Sequence, residues 1–530
     1  MERAQPSRAA TAPSFPRILR ASVERRGLLV VSLAAVALAI WRLRFVLGGI
    51  DPDSDAYGHH AIARQILEDP RDLTVHWVWL PFFHYAQALF VAASGTMQGV
   101  RLVNVVLSAI APIALYLVLR VHREARPDPR GDGSALIAAI VTALSPIAMQ
   151  MGTTAQTEPL FALLVIATVA ALDRGRPLIA AAALVVAVLL RYEAWAIPPA
   201  IAVFLLLARV PFVRARLHEW EVGRATDGLR AWAPVVLPVL AIVAWAAIRR
   251  ATCDATWFAF LHETRSFANG ALGSKSAFDR GVGQVAIDLG YYTIKIPWRV
   301  IGYSLVLAPF GIARTFRTDG LRFVAIHGAL LSFVTLTWLM RSSLGLDRHF
   351  VVLVPFYATL IANGIVSIGG AVDALLVRPT RASVHAFAVS GAARAAIVAG
   401  LAVAVTADHW LNLKTWMRDW RGASEAAWPD RRAIARALAL LAGPQTVIFC
   451  DEPTVEILTG LDRRLFQRRM LGDPRAVGWI ADAVSSGRPV YVATWASRLG
   501  PLGLSDAAIV ARTPETTGDA GFVLVRVGVR

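Results

Sequence analysis

The 530 residues are 56% hydrophobic and only 17% charged, with a mean hydropathy of +0.53, which excludes an ordinary soluble globular protein. The 54 Lys and Arg outnumber the 37 Asp and Glu and leave a formal charge of +17; in so apolar a chain this reads as basic cytoplasmic loops, not a nucleic-acid surface. Two cysteines, Cys253 and Cys450, exclude a disulfide scaffold and a thiolate metal centre and leave a single bridge open.

A helix needs about 20 apolar residues to cross a bilayer, and about eleven candidates meet or approach that length. In chain order they run over 27–49, 100–121, 135–150, 158–172, 178–190, 194–207, 231–248, 291–312, 323–340, 350–369 and 395–410. Arginines sort onto alternate connections: Arg3, Arg8, Arg17, Arg20, Arg25 and Arg26 in the tail, then Arg123, Arg126 and Arg130, then Arg174 and Arg176. Arg209, Arg214, Arg216, Arg224 and Arg230 continue the series, with Arg314, Arg317, Arg322, Arg378, Arg381 and Arg394. By the positive-inside rule that side is cytoplasmic, the N-terminus included. The first span follows a basic tail but no small-residue cleavage site follows it, so it reads as a retained helix.

An odd number of spans puts the segment after Trp410 outside. From 412 to 530 the composition becomes that of a soluble domain, with helical periodicity over 430–441 and apolar runs at 446–450, 490–494 and 521–527. The fold class expected is therefore an all-α polytopic membrane domain over 27–411, behind a basic tail over 1–26, plus a small extracytoplasmic α/β domain over 412–530. Asp451-Glu452-Pro453 falls just past a strand end, where α/β sites form, and equally suits a loop cap. No internal repeat of the transporter kind is evident.

The first external loop, 50–99, is long and opens Asp51-Pro52-Asp53-Ser54-Asp55-Ala56-Tyr57. An amphipathic helix over 58–68 follows, suited to the membrane interface, then Trp77 and Trp79 as headgroup anchors and a second helix over 81–93. Three carboxylates within five residues repel one another and raise a pKa, which suits a general base. The same aspartates also suit helix ends and caps, and two of them suit a hard divalent cation; a metal is possible here and not expected.

The stretches RLRFVLGGIDPDSDAYGHHAIARQILED, PFFHYAQALFVAASG, VRLVNVVLSAIAPIALYLVLR and SPIAMQMGTTAQTEPLFALLVIA, in that order over about 40–200, resemble the amino-terminal half of the GT-C glycosyltransferases. The branch they are most similar to is family 39, the protein O-mannosyltransferases and aminoarabinose-transferase-like enzymes. The resemblance implies an inverting glycosyltransferase of the plasma (inner) membrane. Such an enzyme moves a sugar from a polyprenyl-phosphate donor to a glycan, lipid or protein acceptor on the outer side, without a cofactor. It also implies a catalytic base at the start of the first external loop, here Asp53 or Asp55. Asp53 stands four residues before Tyr57 and matches the first acid of the family's paired pattern, while Ser54 replaces the second. The leaving phosphate needs no general acid but does need cationic partners.

Cations at external span ends are thus the next candidates. Arg191-Tyr192-Glu193 interrupts two apolar runs, and Arg191 breaks the inside bias; the resemblance assigns it the lipid phosphate or the first loop, and a local Arg191–Glu193 pair is the structural alternative. Arg348 and His349, beside Arg341 and Asp347, suit bidentate phosphate binding or snorkelling anchorage. Glu158, in Thr157-Glu158-Pro159, suits a site carboxylate or simple first-turn placement. Asp51, Tyr57, His84 and Glu193 complete the candidate substrate contacts. The loop 250–289, with His262, Glu263, Arg265, Lys275 and Arg280, reads as an acceptor-side lid. The absence of a phosphate loop, zinc spacing or nucleotide fingerprint argues against a nucleotide-sugar donor and nucleic acid. Two rival classes remain open: a transporter or flippase, and a non-catalytic envelope scaffold.

Overall fold

The computed structural model describes residues 15–125, 133–212, 228–377, 384–467, 471, 475–513 and 521–528. Of the side-sorting arginines, Arg3, Arg8, Arg126, Arg130, Arg214, Arg216, Arg224, Arg378 and Arg381 lie outside these residues.

The first half runs through α1 (Phe15–Gly48), α2 (Ser54–Glu68), α3 (Pro81–Ser94), α4 (Gln98–Ala125), α5 (Ser134–Ala143), α6 (Pro146–Met151), α7 (Glu158–Asp173), α8 (Pro177–Val188) and α9 (Ile197–Leu207). There follow α10 (Ala233–Thr252), α11 (Ala259–Leu272), α12 (Val282–Gly290), α13 (Ile296–Ile301), α14 (Ala308–Thr318), α15 (Leu321–Leu339), α16 (Val354–Val377) and α17 (Val384–Glu425). The chain ends in α18 (Pro429–Leu441), β1 (Val447–Cys450), α19 (Pro453–Thr459), β2 (Phe466–Gln467), α20 (Ala476–Ser485), β3 (Val490–Trp495), β4 (Ala508–Arg512) and β5 (Phe522–Val527).

Proline decides where many of these helices begin. It occupies the first turn of α3, α6, α7, α8 and α9, where its fixed φ suits a helix and its missing N–H is not needed. The same prolines cut the apolar stretch 135–207 into short pieces. Among the described residues seven helices are long and apolar enough to cross a membrane. The expected span at 135–150 is split between Ser134–Ala143 and Pro146–Met151, those at 178–190 and 194–207 hold the shorter helices Pro177–Val188 and Tyr192–Leu207, and that at 158–172 the 16 residues of α7. The count of about eleven therefore does not follow from helix length, although the multi-pass membrane architecture does.

The described chain divides into two compact units of interleaved segments: Met1–Leu43, Val105–Gly152 and Thr157–Trp416 form the first, and Arg44–Asn104, Thr153–Gln156 and Met417–Arg530 the second. Close backbone approach marks the first unit. A Cβ on Gly311 of α14 would lie 1.9 Å from the Leu360 carbonyl oxygen of α16, and one on Gly364 would lie 2.1 Å from that of Leu307. Only glycine permits that contact, which is how membrane helices gain packing without a hydrophobic driving force. Asn363 fastens the same pair of helices by donating to Thr315 Oγ1 and Asp319 Oδ2.

In the second unit a five-stranded sheet has the order β2-β1-β3-β5-β4. β1 is parallel to β2 and β3, whereas β5 is antiparallel to β3 and β4. Strand periodicity sends Ile448, Tyr491 and Leu524 to one face with Ile434 and Leu438 of α18. Val447, Phe449, Val492 and Val525 go to the other, with Ile480 of α20. The expected strand, helix, strand order is present; β2 is two residues long, too short to be read in advance, and β4, though apolar in sequence, is an exposed strand and not among those expected. Cys253 and Cys450 are both free thiols.

Candidate functional site

In the second unit the first-loop aspartates start α2. Asp53 is its N-cap, with Oδ1 accepting the Asp55 N–H at 3.0 Å, so the capping role expected for this cluster is realised by Asp53 and not by Asp55. Asp51 is fully buried: Oδ1 accepts the Asp53 N–H at 3.1 Å, Oδ2 accepts the Ala155 N–H at 3.0 Å, and Arg101 Nε lies 3.8 Å away. Burial pushes the Asp51 carboxyl up to about 7, against the opposing pull of Arg101 and the two N–H groups. Arg101 and Asn104, three residues apart on α4, tie the same frame together. Arg101 donates to the carbonyls of Thr153 at 2.8 Å and Gly49 at 2.8 Å, and Asn104 to those of Thr154 and Gln156, each at 2.7 Å.

Three of the expected substrate contacts are buried in this unit. Asp51 organises backbone, because a buried carboxylate must be satisfied by neighbours. Tyr57, 2% exposed, packs edge-on against Trp428. His84 is fully buried, with Nε2 2.8 Å from His59 Nδ1 and Nδ1 2.8 Å from His76 Nδ1, which commits both ring nitrogens. Burial, reinforced by His59 and His76, holds its pKa well below the usual histidine value.

In the first unit a second cluster gathers five of the residues singled out from sequence. Arg191 has an extended backbone between α8 and the 3₁₀ turn Tyr192–Ala196, and this break turns its side chain toward the first turn of α7. Its Nη1 donates to Glu158 Oε1 at 2.6 Å and to Thr157 Oγ1 at 2.8 Å. Its Nε and Nη2 grip Glu193 as a fork, at 3.0 and 2.7 Å. Burial opposes the Arg191 charge, but Glu193 and Glu158 outweigh it and its pKa is raised. Arg348 Nε lies 3.6 Å from Glu158 Oε1, and His349 Nδ1 3.7 Å from Glu193 Oε1. The local Arg191–Glu193 pair is therefore real, and it is one arm of a larger network.

That network is graded in burial. Glu158 and Glu193 side chains are 2% and 7% exposed, while those of Arg191, Arg348 and His349 are 13%, 16% and 17% exposed. The two carboxylates are thus the most deeply buried members of the network, and Arg191, Arg348 and His349 the less buried ones. Arg341, in contrast, turns inward to Asp288 at 2.7 Å and over the Trp338 ring. Among the described residues no group of three or more His, Cys, Asp or Glu is arranged to hold a metal ion.

Residues 80–220 match the family model described as dolichyl-phosphate-mannose-protein mannosyltransferase. No curated protein matches the sequence significantly. Among solved structures, ArnT from Cupriavidus metallidurans in the apo state has a TM-score of 0.58 at 15% identity, over 95% of this chain and 98% of that one. The chain has the GT-C fold. The undecaprenyl-phosphate-bound form of ArnT has a TM-score of 0.55 at 15% identity, over 94% and 97% of the two chains. The family match and the GT-C fold agree with the resemblance read from 40–200 and with the glycosyltransferase class it implies.

Sequence reasoning missed Arg101, Asn104, His59, His76 and Trp428 within this GT-C chain. Arg101 and Asn104 did leave a signal, two polar residues at i and i+3 at the start of an apolar run. Trp428 left none, since its contact with the first loop spans 377 positions.

Proposed function

We propose that the protein is an inverting glycosyltransferase that moves a sugar from a polyprenyl-phosphate carrier to an acceptor hydroxyl on the outer side of the membrane. The observation that carries this reading is the guanidinium pair of Arg191 and Arg348, with the His349 imidazole beside it, against the more deeply buried Glu158 and Glu193, which suits the phosphate of a lipid carrier. The GT-C fold and the family match over 80–220 support it, as does the undecaprenyl phosphate bound to ArnT in a structure of the same fold. The Arg-rich connections support an N-terminus in the cytoplasm and a first loop outside.

In the reaction the acceptor oxygen attacks the anomeric carbon. The bond from that carbon to the phosphate oxygen breaks, its electron pair leaves with the phosphate, and the hydroxyl proton passes to a carboxylate. Asp53 or Asp55 takes the proton; Arg191, Arg348 and His349 hold the phosphate as its charge grows, and Glu158 and Glu193 fix Arg191 for that task.

Sugar transfer from a radiolabelled polyprenyl-phosphate-sugar pool, in membranes holding matched folded protein, tests the assignment. Asn is as good a cap as Asp, so Asp53→Asn keeps the α2 N-terminus while removing the base. If Asp53 is the base, transfer falls by about 10²–10⁴-fold and Asp55→Asn changes little. The reverse result assigns Asp55. Full activity in both variants would refute a base in this loop.

A further inference from the structure

Within the second unit, α2 is held at both ends by the part of the chain that carries the sheet. At its start, Trp428 Nε1 donates to the Asp51 carbonyl at 3.0 Å, and Ser424 Oγ donates to that of Ile50. Trp428 has φ +56°, a left-handed conformation that a bulky residue adopts only when its surroundings impose it. Those surroundings are visible. The Arg431 guanidinium lies over the Trp428, Trp495 and Phe522 rings at 5.5, 4.7 and 5.8 Å, which links β3 and β5 to the indole. Arg432 donates to the carbonyls of Glu425 and Ser424, closing the end of α17.

At the other end of α2, Arg64 and Glu68 stand four residues apart and so share a face. Buried Arg463 donates to Glu68 Oε1 at 3.1 Å and to Glu456 Oε1 at 3.2 Å, while Arg64 lies 3.7 Å from Glu456. Clearance at the start of the loop is also minimal, since a Cβ on Gly49 would meet Ser424 Oγ at 2.6 Å.

We propose that Trp428 and Arg463 are positioning residues through which the α/β domain sets the place of Asp53 and Asp55, making that domain a working part of the transfer machinery. This rests on the transferase reading above. Neither residue need touch substrate. Displacing a reacting group by about 1 Å costs about a hundredfold in rate, so a carboxylate at the end of a two-point mounting is sensitive to either mount.

The test uses full-length Trp428→Phe, which keeps a ring for Arg431 but loses the indole N–H, and Arg463→Met, with Arg463→Lys as the conservative partner. Amide hydrogen exchange over 51–57 is read alongside kcat and the donor KM. In Trp428→Phe and Arg463→Met we expect exchange faster by about tenfold and kcat, read at matched folded protein, lower by about 10–100-fold, with donor KM held. Arg463→Lys recovers part of kcat. Unchanged kcat in both variants would overturn the positioning role, whatever the exchange shows. A parallel rise in KM and fall in melting temperature would overturn it in favour of general destabilisation. Wild-type protein that transfers nothing from any of several donors would instead sink the transferase reading, and faster exchange in the variants would then report the mechanical link alone.

Discussion

Two buried charge clusters, Glu158–Arg191–Glu193 in the first unit and Asp51–Arg101 in the second, look alike on a list of ion pairs and differ in what surrounds them. Around Asp51 and Arg101 the partners include backbone groups: the N–H of Asp53 and Ala155, and the carbonyls of Gly49 and Thr153. Both residues are almost fully enclosed, at 0% and 2% exposure. Around Glu158 and Glu193 the partners are mainly other side chains, Arg191, Arg348, His349 and Thr157, and the two arginines and His349 are less deeply buried than the carboxylates. A group that ties down backbone gives a frame; arginines held by carboxylates and less buried than them are what the proposed phosphate site requires. Burial alone would not separate these cases, because it disfavours both charged states equally.

The comparison breaks most visibly at Arg191. Arg191→Gln removes the fork on Glu193 and the donor to Glu158, and transfer should fall by about 10²–10³-fold. Breaking the buried network should also cost stability, about 3–5 kcal/mol. Arg191→Lys keeps the charge without the fork and should fall between wild type and Arg191→Gln. Donor affinity and transfer rate, measured at matched folded protein, check both. If donor affinity is untouched in Arg191→Gln, Arg191 does not bind phosphate, and the two clusters are both frames.

A pH experiment sharpens the other side. The folded state keeps the Asp51 proton up to about pH 7, whereas an unfolded Asp loses it near pH 3.9. Between those values the folded state binds more protons. Its stability contribution is full below about pH 4 and falls as pH rises toward 7. Asp51→Asn should flatten that slope in the melting temperature, while Arg101 keeps its carbonyl partners and transfer drops only through loosening of Asp53. A slope that survives in Asp51→Asn would mean that another group titrates there.

How much of this the sequence disclosed follows from the range of the interactions. Helices α2 and α3 and strands β1, β3 and β5 were legible because their apolar spacing is local. The members of the charged network were legible for a related reason: Arg191 and Glu158 interrupt or begin apolar runs, and an ionisable group at a span end has few structural excuses. Which carboxylate pairs with which arginine was not legible, since Arg191 and Glu158 are 33 positions apart and meet only because α7 and α8 pack. Asp51 read as a substrate contact beside the candidate bases Asp53 and Asp55; its tie to Ala155, 104 positions away, was not legible. Tyr57 and His84 read as substrate contacts because aromatic and imidazole groups suit both binding and packing.

The smallest expected effect tests that last ambiguity. His59, His84 and His76 come from three different elements, α2, α3 and the 3₁₀ turn Leu73–His76, and their nitrogens touch in series at 2.8 Å. Each contact carries one proton, so the neutral chain has two proton orders, and in either His84 uses both ring nitrogens. His84→Phe keeps the ring volume but takes a partner from both neighbours, which should cost about 1–3 kcal/mol. The melting temperature of the purified protein reads that loss, with transfer and its pH profile retained. A collapse of the pH profile at unchanged melting temperature would show that the imidazole chain handles protons in the reaction, and would move it from the frame to the chemistry.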